Sequence, residues 1–203
     1  MKEKLIIIGA SGHGKVLLDI ALKSGYEVLG FLDDNEAVKE NAGYPILGKV
    51  LEAYKYAGEN VTFIIGIGSN AVRKKIAEKY DLPWATLIHP QAVLGMGTQI
   101  GHGTVIMANA VVNPFTTIGN HCIVNTSCVV EHDNQVQDYV HISPGAVLAG
   151  TVKVGELTHI GANAVVKNNL SITDNCIIGA GAAVVKDVTE AGIYAGVPAR
   201  RIG

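Results

Sequence analysis

From Ile88 to Val184 every sixth residue is Ile, Leu or Val, seventeen times without a break. Two residues before most of them stands a small one, as in Thr104, Ala110, Thr116, Cys122, Cys128, Ala146, Thr158, Ala164, Cys176 and Ala182. A period of six fits neither an amphipathic helix nor an alternating strand. It is the repeat of a parallel β-helix, in which each hexad supplies one short strand and one corner. Three hexads close a triangular coil of 18 residues, so the series makes between five and six coils, with neighbouring strands ~4.8 Å apart. The aliphatic residue points into the prism, and the small residue is expected to let the chain turn. Aromatic residues are 5% of the chain and Gly contributes 24 residues, as a narrow prism demands.

The first eighty residues change character. Lys4–Ile8 reads as a buried strand, 9–14 (Gly-Ala-Ser-Gly-His-Gly) as a glycine-rich turn, and 15–24 as a helix. Glu27–Leu32 reads as a second strand ending at Asp33-Asp34, Val61–Ile65 as a third, 66–70 as a second turn and 71–80 as a basic-faced helix. Strand–helix alternation predicts a small parallel α/β, Rossmann-like domain over 1–83, followed by the β-helix over 84–203. The glycines of the first turn fall in a GxxGxG order and not in the GxGxxG dinucleotide fingerprint. A glycine turn at a helix N-terminus still favours phosphate. A carboxylate such as Asp33 after the second strand can accept bonds from ribose or base N–H groups. Two such turns at the same ends of parallel strands predict a nucleotide or sugar-nucleotide site.

A net charge of −2 gives no nucleic-acid face. The run Leu5–Ile8 is too short for a signal or a membrane span, and no basic, apolar leader precedes it, so the expectation is a cytoplasmic protein without a membrane partner. The three cysteines all fall on the small corner position, which predicts buried packing residues rather than a disulfide or a nucleophile.

His89, His102 and His121 have no acidic neighbours and read as surface or junction residues. His132 lies between Glu131 and Asp133, and an imidazole held by a carboxylate is a candidate general base. His141 and His159 are one coil apart and should stack in one outward column. A metal there would want a third, closely spaced histidine, and His132, nine residues before His141, falls on a different corner. No metal is expected.

After Val184 the register ends, and the segment 196–200 (Gly-Val-Pro-Ala-Arg) is similar to the closing motif of hexapeptide-repeat acyltransferases. Together with the Gly-Ala-Ser-Gly-His-Gly turn and Glu131-His132-Asp133, it resembles the bacterial sugar O/N-acetyltransferases, which include UDP-4-amino-sugar N-acetyltransferases and sialic acid O-acetyltransferases. The resemblance implies a left-handed β-helix, an exception to the right-handed crossover rule. It implies acetyl-CoA as cosubstrate, a nucleotide sugar as acceptor, and a homotrimer with active sites between subunits. Under it His132 is the base and Asp133, where some members carry Glu, supports it. Ser11, Gly12, His13, Asp33, Asp34 and Gly68 would hold the nucleotide sugar, and His141, Gly150, Ala162 and Ala180 would line the acetyl-CoA groove. The resulting expectation is N-acetylation of a nucleotide-linked amino sugar. The alternatives are O-acetylation of a sugar hydroxyl such as that of sialic acid, or a non-catalytic scaffold, against which His132-Asp133 argues.

Overall fold

The structure is a computed structural model and describes residues 2–203. The chain divides into two compact units, Met1–Pro90 and Gln91–Gly203. The division lies beyond residue 83, because the chain past Leu82 still belongs to the first sheet. Phe63 donates its N–H to the Pro83 carbonyl, Ala85 donates to the Phe63 carbonyl, and Trp84 bridges to Phe63.

In the first unit β1 (Lys4–Ile8) is central. It pairs in parallel with β2 (Glu27–Leu32) on one side and β5 (Val61–Ile65) on the other. β3 (Glu40–Asn41) and β4 (Tyr44–Gly48) extend the β2 edge. Leu5, Ile6, Ile7 and Ile8 are fully buried, which explains an apolar run without alternation in a strand covered on both faces. α1 (Gly12–Lys23) buries Leu17, Leu18, Ile20 and Ala21 on one stripe. α2 (Asn70–Lys79) buries, of its own residues, only Arg73. Each fully buried Leu or Ile contributes roughly 1.5–3 kcal/mol.

The second unit is a left-handed parallel β-helix of two-residue strands in three sheets. The inward aliphatic residues from Ile106 to Val184 are at most 3% exposed. The outward residues, one coil apart, form three distinct columns. One face carries Val93, Val111, Val129, Val147 and Val165; the second carries Gln99, Thr117, Gln135, Lys153 and Ser171; the third includes His141 and His159. No helix among the described residues is long and apolar enough to cross a membrane.

The turn itself falls one residue earlier than the sequence placed it. Positive φ recurs every sixth residue, through Asn109, Phe115, His121, Ser127, Asp133, Tyr139 and on to Asn175, with φ between 50° and 61° at the non-glycine positions and 68° at Gly145. The left-handed conformation costs a non-glycine residue about 1–2 kcal/mol. The N–H of that residue offsets part of this by bonding to the coil before it, as Asp133 does to the Pro114 carbonyl at 3.1 Å. The small residue that follows is buried under the corner and ties coils together: Thr104 donates to the Gly119 carbonyl, and Thr158 to that of Thr173.

Candidate active site

The first unit builds a cleft from the C-terminal ends of its parallel strands. β1 ends at Ile8 and the chain turns at Gly9, which has a φ of 104°. The helix then starts at Gly12, not at Lys15, so Gly12, His13 and Gly14 form its first turn. The reason is a close approach of backbones. A Cβ on Gly14 would lie 2.2 Å from the Gly9 carbonyl oxygen, and one on Gly66 would lie 2.9 Å from the Gly14 Cα. Only glycines let the two turns meet this closely. The first-turn N–H groups of α1 have no partners within the helix and carry the positive end of its dipole.

Asp33 and Asp34 line a cleft of about 330 Å³ together with Gly9, Ile67, Lys75 and Lys79. Asp33 also holds the first turn in place. Its carboxylate accepts the Ala10 N–H at 2.7 Å and the Asn35 N–H at 2.8 Å. Asp34 accepts the Val50 N–H at 3.0 Å. Ser11, Gly12, His13 and Gly68 do not line this cleft. Gly12 and Gly68 are nonetheless open: a Cβ on either would meet nothing within 4 Å, so no protein packing calls for glycine there.

Three residues of this region escaped the sequence reading. Arg73 is 1% exposed, and its guanidinium donates to the Ile67 and Gly68 carbonyls and to the Asn70 side chain, which fixes the second turn. Lys75 and Lys79, four apart on α2, line the same cleft as the two aspartates. Their spacing was the available signal.

His13 is mostly buried and its Nε2 has no hydrogen-bond partner. Burial, and secondly the Arg73 charge, lower its pKa from 6.5 to about 4. The folded chain therefore holds His13 neutral where the unfolded chain would protonate it. Stability is unaffected above pH 6.5 and is lost as pH falls from 6.5 towards 4. The expected loss is about 3 kcal/mol. His13→Gln, which does not titrate, should lack this part of the slope when denaturant unfolding is followed from pH 7 to 4. Parallel slopes for the two proteins would contradict the buried neutral histidine.

In the second unit His132 and Asp133 occupy one corner. The left-handed turn at Asp133, with φ of 59°, brings its carboxylate to 2.8 Å from His132 Nδ1. A carboxylate only accepts, so Nδ1 carries the proton and Nε2 presents a lone pair. Both side chains are more than half exposed. Glu131 contributes its backbone carbonyl instead, to Thr116 and Asn134. Gly150 lies at the same corner one coil on, against the His132 ring.

His141 and His159 stack with centroids 4.7 Å apart and planes at 2°. The Asn125 amide nitrogen lies 3.0 Å from His141 Nε2, and Ser143 Oγ lies 2.7 Å from His159 Nε2. The stacked His141–His159 column is the one expected from their spacing, whereas Asn125 and Ser143 were not foreseen as part of this polar array, although each sits 16 residues from the histidine it meets. Ala162 and Ala180 stack one coil apart at a different corner. The residues expected to touch acetyl-CoA therefore divide within one chain: Gly150 joins His132 on one edge of the prism, and Ala162 and Ala180 lie on another, with the valine face between them.

One expectation for the histidines is corrected: His121 is buried, at 2% exposure, and not on the surface, while His89, also buried, adjoins the division after Pro90. His121 stacks on Tyr139 at 5.5 Å and meets the His102 ring edge-on at 5.3 Å, because the glycine at 103 leaves room for an imidazole above it. The three cysteines are buried, and none of them is in a disulfide. Burial pushes the Cys128 thiol up to about 12 and raises that of Cys176, so neither forms a thiolate near neutral pH. In the tail, Gly192–Ala195 and Arg200–Arg201 form an antiparallel pair. Arg201 is paired with Glu190 at 2.8 Å.

Comparison with known proteins agrees with this layout. Residues 4–80 match the PglD N-terminal domain model, and residues 97–132 match the bacterial transferase hexapeptide (six repeats) model. The acetyltransferase domain of PglB from Neisseria gonorrhoeae FA1090 superposes with a TM-score of 0.94 at 35% identity, over 99% of this chain and 100% of that one. The same domain is known in complex with acetyl coenzyme A. PerB from Caulobacter crescentus, in complex with CoA and GDP-perosamine, superposes with a TM-score of 0.93 at 31% identity, over 98% of this chain and 97% of that one. UDP-N-acetylbacillosamine N-acetyltransferase of Bacillus subtilis (strain 168) is 40% identical over 111 residues, which is 52% of this chain and about half (51%) of that protein.

Proposed function

The chain belongs to the hexapeptide-repeat sugar acetyltransferase family, and from that premise we propose that it transfers the acetyl group of acetyl-CoA to the amine of a nucleotide-linked amino sugar. The observation that carries the proposal is the His132–Asp133 pair, an oriented imidazole with a free Nε2 at an open corner of the β-helix. PerB, which binds CoA and GDP-perosamine, and the UDP-N-acetylbacillosamine N-acetyltransferase of Bacillus subtilis support the substrate class.

In the proposed reaction the amine nitrogen attacks the thioester carbon and forms the new C–N bond while the carbonyl π pair moves to oxygen. His132 Nε2 takes the amine proton, and Asp133 balances the charge on the imidazolium. Collapse breaks the C–S bond, and the departing sulfur takes that proton from the His132 imidazolium to give the CoA thiol and restore the neutral base. Holding both substrates in reach supplies much of the rate. The cleft at Asp33 and Lys75 would take the nucleotide, carboxylates on the ribose or base and ammonium groups on the diphosphate. Titration calorimetry with UDP, GDP and CMP tests this half of the reading. One of them should bind with micromolar to millimolar affinity, and heat from none of them would contradict a nucleotide cleft.

We place the complete site between copies of this chain. His132 and Gly150 share one prism edge and Ala162 and Ala180 another, so an extended cosubstrate that touches both needs a second β-helix. The valine face between them supports this, with Val93 at 56% and Val165 at 46% exposure, since contiguous exposed apolar surface marks an interaction site. The proposed assembly is a homotrimer, and light scattering that shows a stable monomer at micromolar concentration would count against it.

A further inference from the structure

Gly150 follows His132 by one coil. A Cβ built on it would lie 2.7 Å from both Cε1 and Nε2 of the His132 imidazole and 3.4 Å from Cδ2. The ring therefore occupies the volume that any other side chain at 150 would fill. The Gly150 backbone itself makes no demand for glycine, because it lies outside the left-handed region that Gly145 and Gly181 adopt. The same position carries Pro114 two coils before, His132 itself one coil before and Asn168 one coil after, so the place accepts side chains elsewhere along the edge. The imidazole is thus the feature that excludes a side chain here.

A second feature ties the same two coils together. Asn134 is fully buried at the corner that bears His132. Its amide nitrogen donates to the Glu131 carbonyl and, at 3.0 Å, to that of Ala149, while its Oδ1 accepts the Val152 N–H at 3.1 Å. Ala149 and Val152 flank Gly150. In the preceding coil Thr116 fills the equivalent position with one donated bond, to the Glu131 carbonyl, and in the following coil Val152 fills it with none from its side chain. The corner can therefore be built without asparagine, and the Asn134 amide adds a clamp between the coil of His132 and the coil of Gly150.

The geometry points to Gly150 as a positioning residue: its missing side chain is the shelf against which the His132 imidazole lies, and Asn134 holds that shelf at its spacing. The inference rests on the reading of His132 as the base. It gives Gly150 a role that does not depend on contact with acetyl-CoA.

The test is steady-state kinetics of Gly150→Ala, Asn134→Thr and His132→Ala with acetyl-CoA and a nucleotide-linked 4-amino sugar. A methyl group at 150 must push the ring off its seat, and a misplacement of about 1 Å costs on the order of 10²-fold in rate. Gly150→Ala should therefore lower kcat by about 10–100-fold and leave both KM values within about twofold, the signature of an interaction that matters in the transition state. Asn134→Thr should lower kcat in the same direction by less. In the His132→Ala background Gly150→Ala should cause no further loss, because the ring it displaces is gone. A raised KM for acetyl-CoA at unchanged kcat would overturn the inference and make Gly150 a substrate contact. So would an additional loss in the His132→Ala background. Wild-type kcat in Gly150→Ala alongside an inactive His132→Ala removes the shelf and leaves the base standing. Full activity of His132→Ala removes the base, and the shelf falls with it. Should Gly150→Ala fail to fold, Asn134→Thr decides, and wild-type kcat there overturns the clamp and the shelf it serves.

Discussion

Replacing His132 with alanine lowers kcat by about 10²–10⁴, the usual contribution of a positioned general base. The fold is untouched, because the side chain is 58% exposed and the inward column at Val130 and Val136 keeps its packing. An amine acceptor that is partly neutral depends less on the base than a hydroxyl does, so acetyl transfer to nitrogen places the loss towards the lower end of that range. Asp133→Asn removes the negative charge but preserves a polar partner for Nδ1, and costs less. Near-normal turnover of His132→Ala would make His132 a surface residue and dismiss the mechanism.

Gly14→Ala has the largest expected effect on stability. The new methyl carbon would sit 2.2 Å from the Gly9 carbonyl oxygen and 3.3 Å from Phe31 Cε1. Neither neighbour can yield easily. Gly9 is tied by its N–H to the Leu32 carbonyl at 2.8 Å, and Phe31 is fully buried. Overpacking of this kind costs about 1–3 kcal/mol, and the contact with backbone puts Gly14 at the upper end. For a domain of this size that is roughly 10–20 °C in Tm. Both α-helices lie in the first unit, so the helical circular dichroism signal reports it selectively. Nucleotide binding should fail with it, since the two glycine turns that frame the cleft meet at Gly14. An unchanged midpoint would mean that the turns do not pack as described.

The hexad made the β-helix legible because the inward column is set by one constraint, fit to a narrow prism, repeated at every strand. Outward positions obey a period of 18 instead, and each face has its own chemistry, so the valine, polar and histidine columns emerge only when coils are laid one on another. The neighbour of His132 was available by the same arithmetic, as 132 plus 18 is 150, but the sequence could not say that the ring leans that way. The turning residue was misplaced by one because left-handed backbone leaves a weak composition signal here: Asn109 and Asp133 fit it, but Phe115, Tyr139 and Leu157 adopt it too. Contacts between coils override their local preference. In the first unit the strands were legible from their apolar runs, whereas the start of α1 at Gly12 was not. Glycine is a poor helix residue, and only the close approach of Gly9, Gly14 and Gly66 explains it. The burial of Arg73 was hidden for a related reason, as charge in sequence reads as surface and its carbonyl partners are backbone groups.

The most direct test offers the protein acetyl-CoA with matched acceptors and follows release of the CoA thiol, with mass spectrometry of the acceptor. UDP- and GDP-linked 4-amino sugars, the same sugars without the nucleotide, and free sialic acid form the panel. The account predicts rapid thiol release with a nucleotide-linked amino sugar, an acetyl group on its nitrogen, and little turnover of the nucleotide-free sugar or of sialic acid. Acetylation of a sialic acid hydroxyl with every nucleotide-linked amine inert would contradict it.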